Sequence, residues 1–301
     1  MATIISSKIL KEVYKERSKS TKKYDYGLVI VVGGSNLYTG SPVLSAMSAL
    51  RSGVDVAQII APKRVSDIAA SFSPDIISFP INSDYLSIEH LPKLLTLTKI
   101  AEDVSRGNLA VVIGGGIGRD EKTKELIREY VKKALVPMVI DADGIYAFEK
   151  SGNFVFNHKN KNNNIIFTPH LYEFFVLSGK NIENYREKER EIAVKKAAEE
   201  INATILLKGK IDYISDGTNT AKNTMSVPYM AKAGTGDVLA GIVGALLARK
   251  ITAFKASCCG AILNTLSGEL IAKNKKEGMI AQDLIENIPN IIKAVYKDKK
   301  R

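Results

Sequence analysis

GLVIVVGGSNLYTGSPVLSAMSALRSGVDVAQIIAP, Gly27–Pro62, decides the fold. Leu28–Val32 is an unbroken apolar run closed by Gly33-Gly34. A strand with no polar face is buried on both sides, as strands of parallel sheets are. Residues 41–53 then read as a helix, with Pro42 near its start and Gly53 at its end. Val54–Pro62 is the next strand. Strand, glycine turn, helix and strand make one parallel crossover unit.

The same grammar recurs. LAVVIGGG (109–116), VPMVIDADG (136–144), NIIFTPH (164–170) and ATILLKG (203–209) are further buried strands, and DIISF (75–79) is a short one. TKELIREYVKKAL (123–135) has helical period. IDYISDGTNTAKN (211–223) reads as a hairpin turning at Asp216-Gly217. After Gly234 the chain is mostly helical. The reading is α/β: one domain over residues 1–301, with a central, mostly parallel sheet and helices on both faces. HKNKNNN (158–164) is a polar loop inside that domain.

Bulk composition narrows the function classes. Among 301 residues, 43 Lys and Arg outnumber 32 Asp and Glu, a formal charge of +11. The cations are scattered, with short runs only at KSTKK (19–23) and KDKKR (297–301), and no aromatic residues interleave with them. This reads as a solvated surface rather than a nucleic-acid groove. The two cysteines, Cys258 and Cys259, are adjacent in an apolar helical stretch. They read as buried thiols in a reducing cytoplasm. The charged N-terminus carries no signal-peptide core, and no run of about 18 apolar residues suggests a membrane span.

In parallel sheets, ligands collect at the carboxyl ends of the strands. Five such ends carry chemistry here: Gly33-Gly34-Ser35, Gly114-Gly115-Gly116, Asp141-Ala142-Asp143, Thr168-Pro169-His170 and Lys208-Gly209. Neither glycine loop continues into a Walker-type GK[ST] or a full dinucleotide fingerprint. AGTGDVLAG (233–241) is the most informative stretch. Gly234, Thr235 and Gly236 open an apolar helix whose free N–H groups and partial positive charge suit an anion. Asp237 follows in the first turn, placed as a general base beside a transferring phosphoryl group. Asp141 is a candidate Mg²⁺ ligand, and Asp143 a helix cap. Lys208 suits phosphate or an exposed surface. Glu173 either orients His170 or faces solvent. Tyr38 and Tyr229 either flank an aromatic substrate or pack in loop and core.

AKAGTGDVLAGIVGALLAR (231–249) resembles the anion-hole segment of ribokinase-like kinases, in the form found in the NAD(P)H-hydrate dehydratase family. The Gly27–Pro62 unit, LAVVIGGGIGRD, VPMVIDADGI, IIFTPHLYEF and ILLKGKIDYISDG resemble the family's other segments in order, over roughly residues 24–290. The resemblance implies dehydration of NADHX and NADPHX driven by ADP, or by ATP in some members, with Mg²⁺. It implies that Ser41, Gly116, His170 and Asp237 meet the substrate. It places Lys208, Gly209, Lys210, Ile211, Asp212 and Gly236 at the nucleotide, and Asp237, Gly234, Thr235 and Gly236 at the catalytic step. A homo-oligomer is also implied, as is an epimerase on a separate chain, since the family is often fused to one.

Four residues at three places depart from the family pattern. Ser41 replaces an alanine, Gly115 a proline, and Ser226-Val227 a Gly-Asn pair on the nucleotide side. Two other functions stay open: a kinase of the same fold acting on a thiazole or pyrimidine alcohol, and a non-catalytic nucleotide- or nucleic-acid-binding protein.

Overall fold

The computed structural model describes residues 2–149 and 164–297. The polar loop 158–163 and the basic terminus 298–301 lie outside the described residues. Among the described residues ten strands form one sheet: β1 (Thr3–Ile4), β2 (Leu28–Val32), β3 (Val56–Pro62), β4 (Ile76–Ile81), β5 (Leu109–Ile113), β6 (Met138–Ile140), β7 (Ile165–Phe167), β8 (Thr204–Leu207), β9 (Asp212–Ser215) and β10 (Thr220–Asn223). Their spatial order is β1-β10-β9-β8-β7-β6-β5-β2-β3-β4. The pairs from β4 through β8 are parallel, and β1 is parallel to β10. β9 runs antiparallel to both its neighbours, so residues 211–223 form the expected hairpin.

The helices are α1 (Leu10–Val13), α2 (Gly40–Arg51), α3 (Lys63–Phe72), α4 (Leu91–Val104), α5 (Glu121–Ala134), α6 (Leu171–Ser178), α7 (Glu187–Ile201), α8 (Thr235–Ala248), α9 (Ala253–Lys275) and α10 (Ala281–Lys297). Because side chains alternate along a strand, the sheet feeds two cores. Val29 and Val31 of β2, with Ala110 and Val112 of β5, point towards α2, α8, α9 and α10. Leu28, Ile30 and Val32, with Leu109, Val111 and Ile113, point towards α4, α5, α6 and α7. Both faces are covered, which is why these strands carry no polar register.

Cys258 and Cys259 are unpaired and buried in α9, where burial pushes both thiols up to about 12. No helix among the described residues is long and apolar enough to cross a membrane.

α8 positions the site. Eleven consecutive residues, Val238–Ala248, are buried, so the helix is apolar all round and threads the core. It lies against α2 through Gly241, where a Cβ would stand 2.0 Å from Ser48 Oγ and 2.1 Å from the Ser45 carbonyl oxygen. The two helices therefore cannot pack this closely with any side chain at 241. Gly241→Ala is expected to destabilise the fold by about 2–3 kcal/mol in a denaturant titration. It should also lower turnover, because Ser45 Oγ donates to the Asp237 carbonyl at 3.0 Å.

Candidate active site

The strand order reverses between β2 and β5: the chain moves outward from β2 to β3 and the other way from β5 to β6. That switch point is where a crevice opens at the carboxyl ends. Both glycine loops meet there, and the Gly34 N–H donates to the Gly115 carbonyl at 2.8 Å. Gly114 (φ +127°) and Gly116 (φ +64°) adopt backbone conformations that L side chains avoid. A Cβ on Gly115 would stand 2.8 Å from Asp237 Oδ1. The loop thus lets the carboxylate of α8 lie against bare backbone.

α8 starts at Gly234, which is left-handed (φ +90°) and makes no side-chain cap. Among the described residues no protein acceptor meets the N–H groups of Gly234, Gly236 or Asp237. Thr235 is different. Its hydroxyl donates to the Met230 and Lys232 carbonyls at 2.9 and 3.0 Å, and its N–H is 3.5 Å from Lys232 O. The Thr235 hydroxyl thus fastens the turn at the start of α8.

Asp237 Oδ2 accepts from Ser41 Oγ at 2.9 Å. Its pKa is pushed up to about 7, by burial first and then by the charge of Asp141; Ser41 and Lys208 pull the other way. Asp141 is 3% exposed, and its Oδ1 accepts from Thr168 Oγ1 at 2.7 Å and from Lys208 Nζ at 2.8 Å. The Lys208 ammonium lies 3.9 Å from Glu173 Oε2 and 3.3 Å from where a Gly236 Cβ would be. Burial works against its charge, but Asp141 and Glu173 outweigh it and hold the pKa above the ordinary value. Lys208 is therefore no surface lysine: it reaches the mouth of the α8 anion site already paired. Asp141 Oδ2 makes no hydrogen bond among the described residues. No cluster of three or more His, Cys, Asp or Glu able to hold a metal occurs among them either.

Asp143 does not cap a helix. Its carboxylate accepts from the Gly118 N–H at 3.2 Å and Arg119 Nε at 2.5 Å, because the 3-10 turn Ala142–Phe148 turns it towards the second glycine loop. His170 caps α6. Its Nδ1 accepts from the N–H groups of Tyr172 (3.1 Å) and Glu173 (3.3 Å), and Nε2 is 3.2 Å from Glu173 Oε1. Nε2 therefore carries the proton, an assignment from partners. Glu173, 4% exposed, completes the capping box by accepting from the His170 N–H at 2.8 Å. Both ring nitrogens are used internally, so what His170 offers a ligand is its exposed ring.

The remaining expected residues divide. Ser41 and Gly116 are in the crevice, and Tyr38, 62% exposed, lies over Gly116. Tyr229 packs against the core. Asp212 is held by the Gly209 N–H (3.1 Å) and Asn223 Nδ2 (3.1 Å), and burial pushes it up to about 6. Lys210 and Ile211 line a separate hollow with Tyr185, Arg190 and Tyr213. The structure does not gather these two with Asp237. Ser226 and Val227 lie between β10 and α8, the first exposed and the second half-buried. Sequence reasoning singled out the Thr168 strand end but gave Thr168 no role; it donates to Asp141.

The family model described as NAD(P)H-hydrate dehydratase matches residues 29–290. A bifunctional NAD(P)H-hydrate repair enzyme of Hyperthermus butylicus is 40% identical over 287 residues, covering 93% of this chain and 51% of that protein. An ADP-dependent (S)-NAD(P)H-hydrate dehydratase of Nitrosopumilus maritimus is 31% identical, covering 97% of this chain and 98% of that one. The chain thus spans about half the length of the bifunctional relatives it matches. The Bacillus subtilis ADP/ATP-dependent NAD(P)H-hydrate dehydratase co-crystallised with ATP and Mg²⁺ superposes with a TM-score of 0.80 at 21% identity, covering 98% and 99% of the two chains. A ribokinase-like protein of Enterococcus faecalis gives 0.81 at 24%, covering 98% and 96%. These structures share the fold.

Proposed function

Because the chain belongs to the NAD(P)H-hydrate dehydratase family, we propose that it restores NADH and NADPH from their hydrates, spending ADP in preference to ATP. One observation carries the proposal: the Asp237 carboxylate, pushed up to about 7, stands beside free backbone amides at the start of α8. Asp237 accepts the proton of the ring hydroxyl. The resulting oxygen forms a bond to the terminal phosphorus of ADP, the bridging P–O bond breaks, and AMP leaves. The amides of Gly236 and Asp237 hold the phosphoryl oxygens, and Lys208 adds a point charge. The phosphate ester then loses phosphate together with a proton from the adjacent ring carbon, restoring the double bond.

An oxygen-only donor set fits Mg²⁺, which takes one or two carboxylates and fills its remaining positions with water and substrate phosphate. Asp141, through its free Oδ2, would hold it with the nucleotide. The ion would neutralise charge on the phosphates.

The test is incubation with hydrated NADH, Mg²⁺ and either nucleotide, followed at 340 nm. Absorbance should grow with ADP as cosubstrate, while inorganic phosphate accumulates. A lasting phosphoester with no absorbance gain would favour an alcohol kinase of the same fold.

The pH profile follows from the base. A general base works deprotonated, so kcat/KM should rise with pH, with a midpoint near the Asp237 value of about 7, and level off above it. Ser41→Ala removes a hydrogen bond that lowers that value. The rising limb should therefore move to higher pH, with the plateau rate reduced only slightly.

A further inference from the structure

A second hollow, of about 310 Å³, opens at the other end of the sheet. Tyr26 and Gly53 precede β2 and β3, while Arg51 and Arg249 stand at the ends of α2 and α8, so the hollow sits at the amino ends of the strands. Arg249 lies twelve positions after Asp237, along and just past α8, which at 1.5 Å per residue is about 18 Å. This is not the site described above.

Four cations line it: Arg17, Arg51, Arg249 and Lys293. Two are anchored. Arg17 donates to Asp55 Oδ1 (2.8 Å) and the Gly53 carbonyl (2.6 Å), with its guanidinium 3.8 Å from the Tyr26 ring centre. Arg249 donates to the Val13 carbonyl at 3.0 Å and stands 4.8 Å from the Tyr14 ring centre. Its Nε is buried with no acceptor, an N–H the fold itself leaves unmet. Arg51 and Lys293 are exposed and have no partner among the described residues. Against these stand Asp55, nearby Glu16, and the carbonyl ends of α2 and α8, worth about half a negative charge each. The hollow stays net positive. Tyrosines 14, 26 and 296, with Ile292 and Pro289, supply flat apolar wall.

We propose that this hollow is a second ligand site, for a small phosphomonoester carried on a planar ring. Guanidinium forks match phosphate oxygens two at a time, and the lysine adds a point charge. A phosphate presents three oxygens to these guanidinium and ammonium donors, where a single carboxylate presents two. The tyrosine and proline faces suit a ring, and the volume is at the lower end for small-molecule sites.

The probe is phenyl phosphate, titrated into the full chain while the backbone amide signals of Gly53 and Gly236 are followed by NMR. Gly53 should titrate to saturation in the wild-type protein. In Arg51→Gln/Lys293→Gln, which touches nothing at Asp237, its affinity should fall at least tenfold while ADP binding holds. Inorganic phosphate should bind the same place at least tenfold more weakly than phenyl phosphate. Movement at Gly236 alone, or an unchanged Gly53 titration in the double variant, overturns the site. Equal affinity for the two phosphates overturns the ring-bearing ligand.

Discussion

Asp237→Asn is expected to reduce turnover of hydrated NADH roughly 100- to 10,000-fold, the usual range for loss of a general base. The amide keeps the volume and can still accept from Ser41 Oγ, so the geometry of the α8 start survives. What it cannot do is take a proton. Stability should move in the opposite direction. A carboxyl whose folded pKa is about 7 against an ordinary 3.8 binds its proton more tightly in the folded state. Below about pH 4 that difference costs nothing. As pH rises through 4 to 7 the fold is progressively destabilised, by at most about 4 kcal/mol. The variant escapes this, so at pH 8 it should melt higher than the wild type while turning over far more slowly. A gain in stability with a loss of rate separates a catalytic carboxylate from a merely structural one. Thermal melts at pH 4 and pH 8 beside the 340 nm assay check both halves.

Lys208→Met is the second large effect. The methionine fills similar volume but leaves Asp141 without its cation, beside Asp237 and Glu173. Stranding one partner of a buried ion pair typically costs 3–5 kcal/mol. Lys208 keeps 20% of its side chain exposed, so about 3 kcal/mol is expected. The pKa of Asp237 should climb further, because Lys208 is among the groups lowering it. Adding Asp141→Asn to Lys208→Met should recover most of the stability, since the stranded charge is gone. It should not recover the rate, since the phosphoryl group still lacks its cation. Denaturant titrations of the single and double variants, with turnover measured on each, decide this.

Much of the fold was legible because its signals are local. Leu28–Val32 and Leu109–Ile113 are apolar on both faces, and each strand end carries a glycine or an acid that a buried strand cannot keep. The hairpin at Asp216-Gly217 announced itself by its turn residues. Other elements had no counterpart in the sequence reading. α3, α4, α6 and α7 went unassigned, and β1 is only two residues long, joined to β10 by a parallel pairing more than 200 positions away.

The site divides in the same way. Asp237 and its glycines sit within four consecutive positions and could be read as a unit. The Ser41–Asp237 bond spans 196 positions and the Lys208–Asp141 pair 67, and no local pattern encodes such partners. Residue type alone also assigned Asp143 to a helix cap, whereas its carboxylate meets the second glycine loop. A carboxylate three residues past a strand end can turn either way, and the backbone of the 3-10 turn decides which.

The most direct test of the central claim is a crystal structure with Mg²⁺ and a non-hydrolysable ADP analogue. The account predicts oxygens of the terminal phosphoryl mimic within about 3 Å of the Gly236 and Asp237 amide nitrogens, with the Asp237 carboxylate facing the substrate side. An analogue bound with its terminal group elsewhere, and those amides meeting only water, would contradict it.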